Sequence, residues 1–325
     1  MSIDMRFENV ESWDKMKFIN FDNCSYGSRH GRYGGNAGNK DGIIFNNENW
    51  IIKYPKTTKY MRGKNLPSYT SAPLSEYIGS QIYAILGYPV HETILGIRDK
   101  NIVVACKDFQ KHYGDLAEIR TIKNAANKEI EEYTNHDIPM SATGDNVILE
   151  ELLLHFKVNP LLQNVDVKKR FFEQAVIDIL IDNNDRNNGN WGLLYSEEKK
   201  AYELAPIYDN GNSFYNKADD EKIKRYLENI DEIALSGSTA YSYREHILSA
   251  KSFLDLDFPE LKRAISEVIP NIRNNMDRII TMIEEIPAQI QDDEGVVYSV
   301  CSEERKEVYI SCMKIRLEKL LIPKT

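Results

Sequence analysis

The segment that most constrains how this chain can fold is a polar run set between apolar ones. A helical pattern in which Phe172, Val176, Ile179 and Leu180 line one face ends near residue 180, and Asp182-Asn183-Asn184-Asp185-Arg186-Asn187-Asn188-Gly189-Asn190 follows at once. Two short apolar runs come next, Trp191 to Tyr195 and Tyr202 to Ile207. They predict a hairpin through Ser196-Glu197-Glu198-Lys199-Lys200, with Asp209-Asn210-Gly211 just beyond it. The expected unit is helix, polar loop, hairpin and second polar loop, with Asp209 ending a strand.

Those loops carry a specific donor set. Asp185 is followed five positions on by Asn190, and Asp209 arrives nineteen residues after that. A carboxylate and a carboxamide oxygen are hard ligands of the kind Mg²⁺ prefers. A further carboxylate can orient a hydroxyl and take its proton. Phosphoryl transfer asks for little else besides a cation on the phosphates, so Asp185 is the expected base, and Asn190 and Asp209 are the expected metal ligands beneath ATP.

The earlier part of the chain offers the remaining groups. Gly42 to Phe45 and Trp50 to Lys53 read as strands joined at Asn46-Asn47, with Lys53 at the strand end where an ammonium can reach the α/β-phosphates. After a proline-punctuated link from Pro55 to Pro73, Ile78, Ile82, Ile85 and Leu86 recur at helical spacing, with Gly87 and Pro89 past the end. Glu76, expected in the first turn of that helix, can pair with Lys53. Asn101 to Cys106 is a β-branched strand, and Lys107-Asp108-Phe109 reads as a hinge. From about 114 to 180 the pattern is helical. Beyond Tyr241 it returns to helix, with Leu261, Ile265, Val268 and Ile269, then Ile272, Met276, Ile279, Ile280 and Ile283, and finally Glu303 to Leu321.

Taken singly, each motif has a plainer reading. Loops rich in Asn, Asp and Gly commonly form turns. A calcium loop fails on spacing, because Gly189 at the sixth position puts Arg186 third and Tyr195 twelfth, where oxygen donors are required. Gly31 to Lys40 contains neither G-x-G-x-x-G nor the P-loop pattern. It reads either as a flexible surface loop or as a phosphate cover to which Lys40 adds charge. Turns alone do not account for the order in which the set arrives: lysine strand, glutamate helix, hinge strand, D-x₄-N loop, aspartate.

Composition narrows the classes. With 42% hydrophobic and 28% charged residues, the 325-residue chain reads as globular. It shows no apolar leader and no run long enough to span a bilayer, so synthesis as a cytosolic protein without membrane association is expected. Four cysteines at 24, 106, 301 and 312 fit neither a zinc ribbon nor a disulfide framework and predict reduced thiols. A net charge of −9 argues against nucleic-acid binding. Residues 1–104 carry 13 Lys and Arg against 10 Asp and Glu, a net +3, which leaves −12 for residues 105–325. This split suits polyphosphate on the first part and a basic protein substrate on the second. The expectation is an α+β chain of two lobes, a small β-rich lobe over 1–104 and a larger helical one over 105–325.

The same ordered motifs resemble the HipA-like serine/threonine kinases of bacteria, over most of residues 21 to 290. The likeness is strongest at Trp50-Ile51-Ile52-Lys53-Tyr54-Pro55, at Ser75-Glu76-Tyr77, at Asn184 to Trp191 and at Ala205 to Gly211. The resemblance implies a bilobal protein-kinase-like fold, ATP and Mg²⁺ as cofactors, and autophosphorylation at Ser25 or Ser28. It carries the base onto Asp185, the metal ligands onto Asn190 and Asp209, and the phosphate lysine onto Lys53. It carries a mobile phosphate loop onto Gly34, Gly35, Gly38 and Lys40, and an adenine-contacting hinge onto Ala105 to Lys107. Asn187 stands where family members often have histidine. The extra amino-terminal subdomain of toxin-type members is not expected, since the pattern starts within about 40 residues, and no DNA-binding antitoxin partner is implied. The resemblance also suggests secretion and entry into host cells as a bacterial effector. A small-molecule or lipid kinase, and a nucleotide-binding interaction protein of pseudokinase type, remain the alternatives.

Overall fold

The computed structural model describes residues 18–31, 40–59, 61, 66–112, 114–134, 140–141, 143–163 and 166–322. Its first part is a five-stranded sheet in the order β1 (Ile19–Asn20), β4 (Thr93–Arg98), β5 (Asn101–Lys107), β3 (Glu48–Lys53) and β2 (Lys40–Phe45). β2 and β3 form the expected hairpin. Asn46 and Asn47 both take positive φ, 49° and 61°, so the turn twists with its strands.

Strand alternation sends every second side chain to the same face. Trp50, Ile52, Val103 and Ala105 pack with Phe21 and Ile43 on one side. Val104 and Cys106 join Leu95 on the other, where α1 (Ala72–Ile85) lies. Lys53 falls two residues from Ile51 and therefore faces α1. That helix starts with Pro73 in its first turn and stops before Gly87, at φ +84°. Glu76 is the fifth residue of the helix, so it sits in the second turn and not the first. Being buried, it serves as a side-chain partner and not as a charge on the helix end.

The larger part is mainly helical. In chain order come β6 (Leu116–Glu118), α2 (Ile119–Thr134), β7 (Val147–Ile148), α3 (Leu149–Val158), α4 (Pro160–Gln163) and α5 (Val167–Ile181), so the helical expectation for 114 to 180 omitted two short strands. Every residue of α5 from Phe171 to Ile181 is buried, which makes it the central helix of the core. β8 (Gly192–Ser196) and β9 (Ala201–Leu204) form the expected hairpin, and β6 adds to its edge. β9 stops at Leu204, so Asp209 follows an irregular stretch; Ile207 there makes one isolated parallel bridge to Val90.

After α6 (Asp220–Glu228) and α7 (Ile230–Leu235), β10 (Ser238–Tyr243) and β11 (His246–Ser249) form a hairpin in a region read from sequence as turning helical. Its turn residues, Arg244 and Glu245, adopt positive φ without being glycine or asparagine, so the sequence gives no turn signal there. α8 (Ala250–Leu254) follows. The two apolar series from Leu261 to Ile283 lie on one helix, α9 (Pro259–Glu284), which continues through Pro270. A small hairpin of β12 (Gln289–Gln291) and β13 (Val297–Ser299) precedes α10 (Glu303–Ile315), whose last turn widens over Arg316–Leu320. All four cysteines are free. Among the described residues, no helix is long and apolar enough to cross a membrane.

Candidate active site

The site centres on Lys53. Its Nζ lies 2.6 Å from Asp209 Oδ1 and 3.0 Å from Glu76 Oε2, so a strand, a helix and a loop distant in sequence meet at one ammonium. Burial works against charge on all three groups, and their mutual attraction overrides it. The Lys53 ammonium is held well above its usual pKa by Asp209 and Glu76. Glu76 is held well below the carboxylate range by Lys53 and His91, and Asp209 is lowered by Lys53. Lys40 stands directly opposite Lys53 across the β2–β3 pair, which puts both side chains on the same face. Burial lowers the Lys40 pKa, with Asp209 pulling the other way.

The 182–190 loop is held from beneath by Arg186, a residue that sequence reasoning used only to exclude calcium. Its buried guanidinium grips Asp178 on α5 through Nε and Nη2, at 2.8 and 3.0 Å. Nη1 donates to the carbonyls of Asn190 at 3.1 Å, Tyr208 at 2.5 Å and Asp209 at 3.3 Å. One nitrogen thus ties the backbones of Asn190 and Asp209 together, which keeps the two residues on one side of the molecule. Nη2 also bonds Asn210 Oδ1 at 2.5 Å, and Tyr83 donates to Asp178 at 2.9 Å.

The network continues to Lys53. Asn210 Nδ2 donates to Ser80 Oγ at 3.0 Å, Ser80 Oγ lies 3.2 Å from His91 Nε2, and His91 Nε2 is 2.9 Å from Glu76 Oε1. Gly79 makes this approach possible, because a Cβ there would stand 2.8 Å from Asn210 Cβ. One signal was available in the sequence: Asp178 is a charged residue inside the otherwise apolar end of α5.

Asp185 is exposed at the mouth of the site. Its carbonyl accepts from Asn190 Nδ2 at 2.5 Å, and its Oδ1 accepts from Asn187 Nδ2 at 3.3 Å. Asn187 therefore steadies the carboxylate even without an imidazole. With its amide nitrogen turned to Asp185, Asn190 keeps its side-chain oxygen for other partners. That oxygen and the half-exposed Asp209 carboxylate are hard donors, a set that fits Mg²⁺.

Ala105 and Lys107 stand apart from this cluster. Ala105 is paired on both sides within the sheet, with Ile52 and Ile94, and its side chain packs on the face away from α1. Lys107 turns to Glu48 at 2.8 Å and Glu92 at 3.5 Å, and its N–H donates to the Glu92 carbonyl. β5 runs on to Lys107, past residue 104, before Phe109 packs on Tyr208 with ring centroids 5.7 Å apart. Gly34, Gly35 and Gly38 lie outside the described residues.

No family model matches the chain. It is 29% identical over 305 residues to the serine/threonine-protein kinase CtkA of Helicobacter pylori strain J99, covering 90% of this chain and 87% of that protein. The crystal structure of the H. pylori proinflammatory kinase CtkA superposes with a TM-score of 0.78 at 28% identity, over 94% of this chain and 96% of the other. HipA from the Shewanella oneidensis MR-1 toxin–antitoxin complex with HipB and operator DNA matches in fold, with a TM-score of 0.52 at 14% identity over 89% of this chain and 66% of that one. Likeness along nine-tenths of the sequence and a shared fold along nearly all of it make this chain a relative of CtkA with the α+β, bilobal fold of the HipA-like kinases.

Proposed function

We propose that the protein is an ATP-dependent serine/threonine protein kinase, on its likeness to CtkA and on the geometry around Lys53. The observation that carries the reading is Lys53 held between Glu76 and Asp209. A lysine pinned by a helix glutamate beside a carboxylate suited to a metal is the arrangement that aligns a triphosphate.

In this reading Glu76 fixes the direction of Lys53, which meets the α/β-phosphates, and Lys40 adds a second cation on the same face. Asn190 and Asp209 would hold Mg²⁺, for which Lys53 would have to give up its direct contact with Asp209. Bound Mg-ATP supplies the phosphoryl group and the charge neutralisation. Asp185 orients the acceptor hydroxyl and takes its proton, with Asn187 steadying the carboxylate. The resemblance would give residues 34–40 the phosphate-covering role, with 34–39 outside the described residues, and would give Ala105 to Lys107 the adenine contact. The lobe division expected between 1–104 and 105–325 would fall at the end of β5, whose residues up to Lys107 belong to the first sheet. Ser25 and Ser28, both exposed, are the candidate autophosphorylation sites. The acidic second lobe favours a basic protein substrate. The likeness also suggests a host destination, which detection of the chain in culture supernatant against the cell pellet tests.

The decisive assay offers γ-labelled ATP to the protein itself, to a basic protein, and to sugar, antibiotic and lipid acceptors, with and without Mg²⁺. Mg²⁺-dependent label on serine or threonine, reduced at least ~10²-fold by Asp185→Asn, is expected. Label on small molecules alone makes the protein a small-molecule kinase. ATP binding without any transfer makes it a nucleotide-binding interaction protein.

A further inference from the structure

Two buried side chains beside the Lys53–Glu76 pair have no part in binding phosphate. Cys106 on β5 and His91, two residues before β4, converge on Glu76, and thiol, imidazole nitrogen and carboxylate oxygen all lie within 4.8 Å of one another. Their relative exposures are 0, 5 and 1%, so this is no surface coincidence of acidic groups. Strand alternation explains the placement of Cys106, which faces α1 with Val104 while Ala105 faces away.

Glu76 is divided between two neighbours. Oε2 meets Lys53, whereas Oε1 lies 2.9 Å from His91 Nε2 yet is buried without a hydrogen bond of good geometry. Phosphoryl transfer has no use for a thiol at this point. A sulfur, an imidazole nitrogen and a carboxylate oxygen make a borderline-soft donor set, which selects Zn²⁺-like ions over Mg²⁺. With Zn–S near ~2.3 Å and Zn–N and Zn–O near ~2.0–2.2 Å, such donors stand roughly 3–4 Å apart around one ion. Small side-chain rotations reach that from the present spacing.

We propose that Glu76, His91 and Cys106 form a binding site for a thiophilic divalent cation, Zn²⁺ by chemistry, and that its occupation draws Glu76 away from Lys53 and inhibits the enzyme. On binding, the Cys106 thiol loses its proton to solvent. Thiolate, neutral imidazole and one carboxylate oxygen take three positions, and water takes the fourth; no electron is transferred. With thiolate and carboxylate balancing the ion, the site becomes neutral overall, so Lys53 Nζ loses the negative charge of Glu76 that otherwise orients it. Entry is from the cleft, where the side chains of Lys53 and Asp209 are 17 and 36% exposed. Binding stands on the donor geometry alone, whereas inhibition rests on the kinase reading.

The test titrates Co²⁺ into the reduced, nucleotide-free protein. A thiolate-to-cobalt charge-transfer band that saturates at one equivalent, survives Cys24→Ser and disappears in Cys106→Ser is expected. The oxygen donors Asn190 and Asp209 cannot produce it. X-ray absorption on the zinc-loaded parent needs no variant and should show one sulfur at ~2.3 Å with nitrogen or oxygen neighbours. Absence of the band, its survival in Cys106→Ser, or a shell without sulfur overturns the site. With excess Mg-ATP, Zn²⁺ should slow transfer by the parent at least tenfold while sparing Cys106→Ser relative to its own metal-free rate. Equal inhibition of both overturns the regulatory claim. A thiolate band in a protein that never transfers phosphate supports the site and overturns the kinase reading.

Discussion

Arg186 and Asp178 close on each other through a two-point contact, Nε to Oδ2 at 2.8 Å and Nη2 to Oδ1 at 3.0 Å, with both side chains at most 3% exposed. The same guanidinium holds the backbones of Asn190 and Asp209, so the pair sets the spacing of the 182–190 and 209–211 loops against the central helix. Arg186→Met leaves the buried Asp178 without its charged partner and is expected to cost about 3–5 kcal/mol. Arg186→Lys keeps the charge but loses the planar fork, so it should fall between parent and Met. Urea denaturation of the three proteins, with phosphotransfer measured under native conditions, checks both the order and the loss of activity.

Gly79→Ala is expected to destabilise by about 1–3 kcal/mol through overpacking. The added Cβ would stand 2.8 Å from Asn210 Cβ, which is backbone-proximal and has little freedom to yield. Because Asn210 follows Asp209, turnover should fall further than stability alone explains. Comparing kcat at a temperature where both proteins remain folded separates the two effects.

Two kinds of group set the pH dependence of stability. Burial, and then the nearby Lys123, press the His155 pKa from 6.5 to about 4. As pH falls below ~6.5 the unfolded chain takes up a proton that the folded one refuses, so stability declines until the folded imidazole also protonates. At ~1.4 kcal/mol per unit the loss reaches on the order of 3 kcal/mol. Denaturation series between pH 7.5 and 4 should show this slope in the parent and a flatter one in His155→Gln.

Glu76 and Asp209 act at lower pH. Their carboxyls are depressed by Lys53, so the stability they contribute is complete above the ordinary carboxylate range and disappears as pH falls through the lowered values. Glu76→Gln should therefore shallow the acid limb and raise the KM for ATP, since Lys53 then leans on Asp209 alone. A pH series of denaturation midpoints and an ATP saturation curve read the two effects separately.

The parts legible in the sequence were those written in local chemistry. Asn46-Asn47 announced a tight hairpin, Pro73 and Gly87 bracketed α1, and the D-x₄-N spacing set Asp185 and Asn190 on one loop. Lys53 and Glu76 could be paired because strand and helix order left few other partners. Long-range satisfaction of buried polar groups was not legible. His91, Ser80 and Asn210 look ordinary along the chain and acquire meaning only when α1 packs against the 209–211 loop. Arg186 carried no signal beyond its charge, because its role depends on carbonyls from three separate residues. β10 and β11 were missed because their turn is built from Arg244 and Glu245, residues that favour positive φ only under tertiary constraint.

The central claim is that Asn190 and Asp209 share one cation beneath the phosphates of ATP. A crystal structure with Mg²⁺ and a non-hydrolysable ATP analogue measures this directly. The account predicts a side-chain oxygen of each residue within about 2.0–2.1 Å of a single Mg²⁺, with Lys53 on the α/β-phosphates. A nucleotide held elsewhere, or a Mg²⁺ bound to the phosphates without either residue, would contradict it.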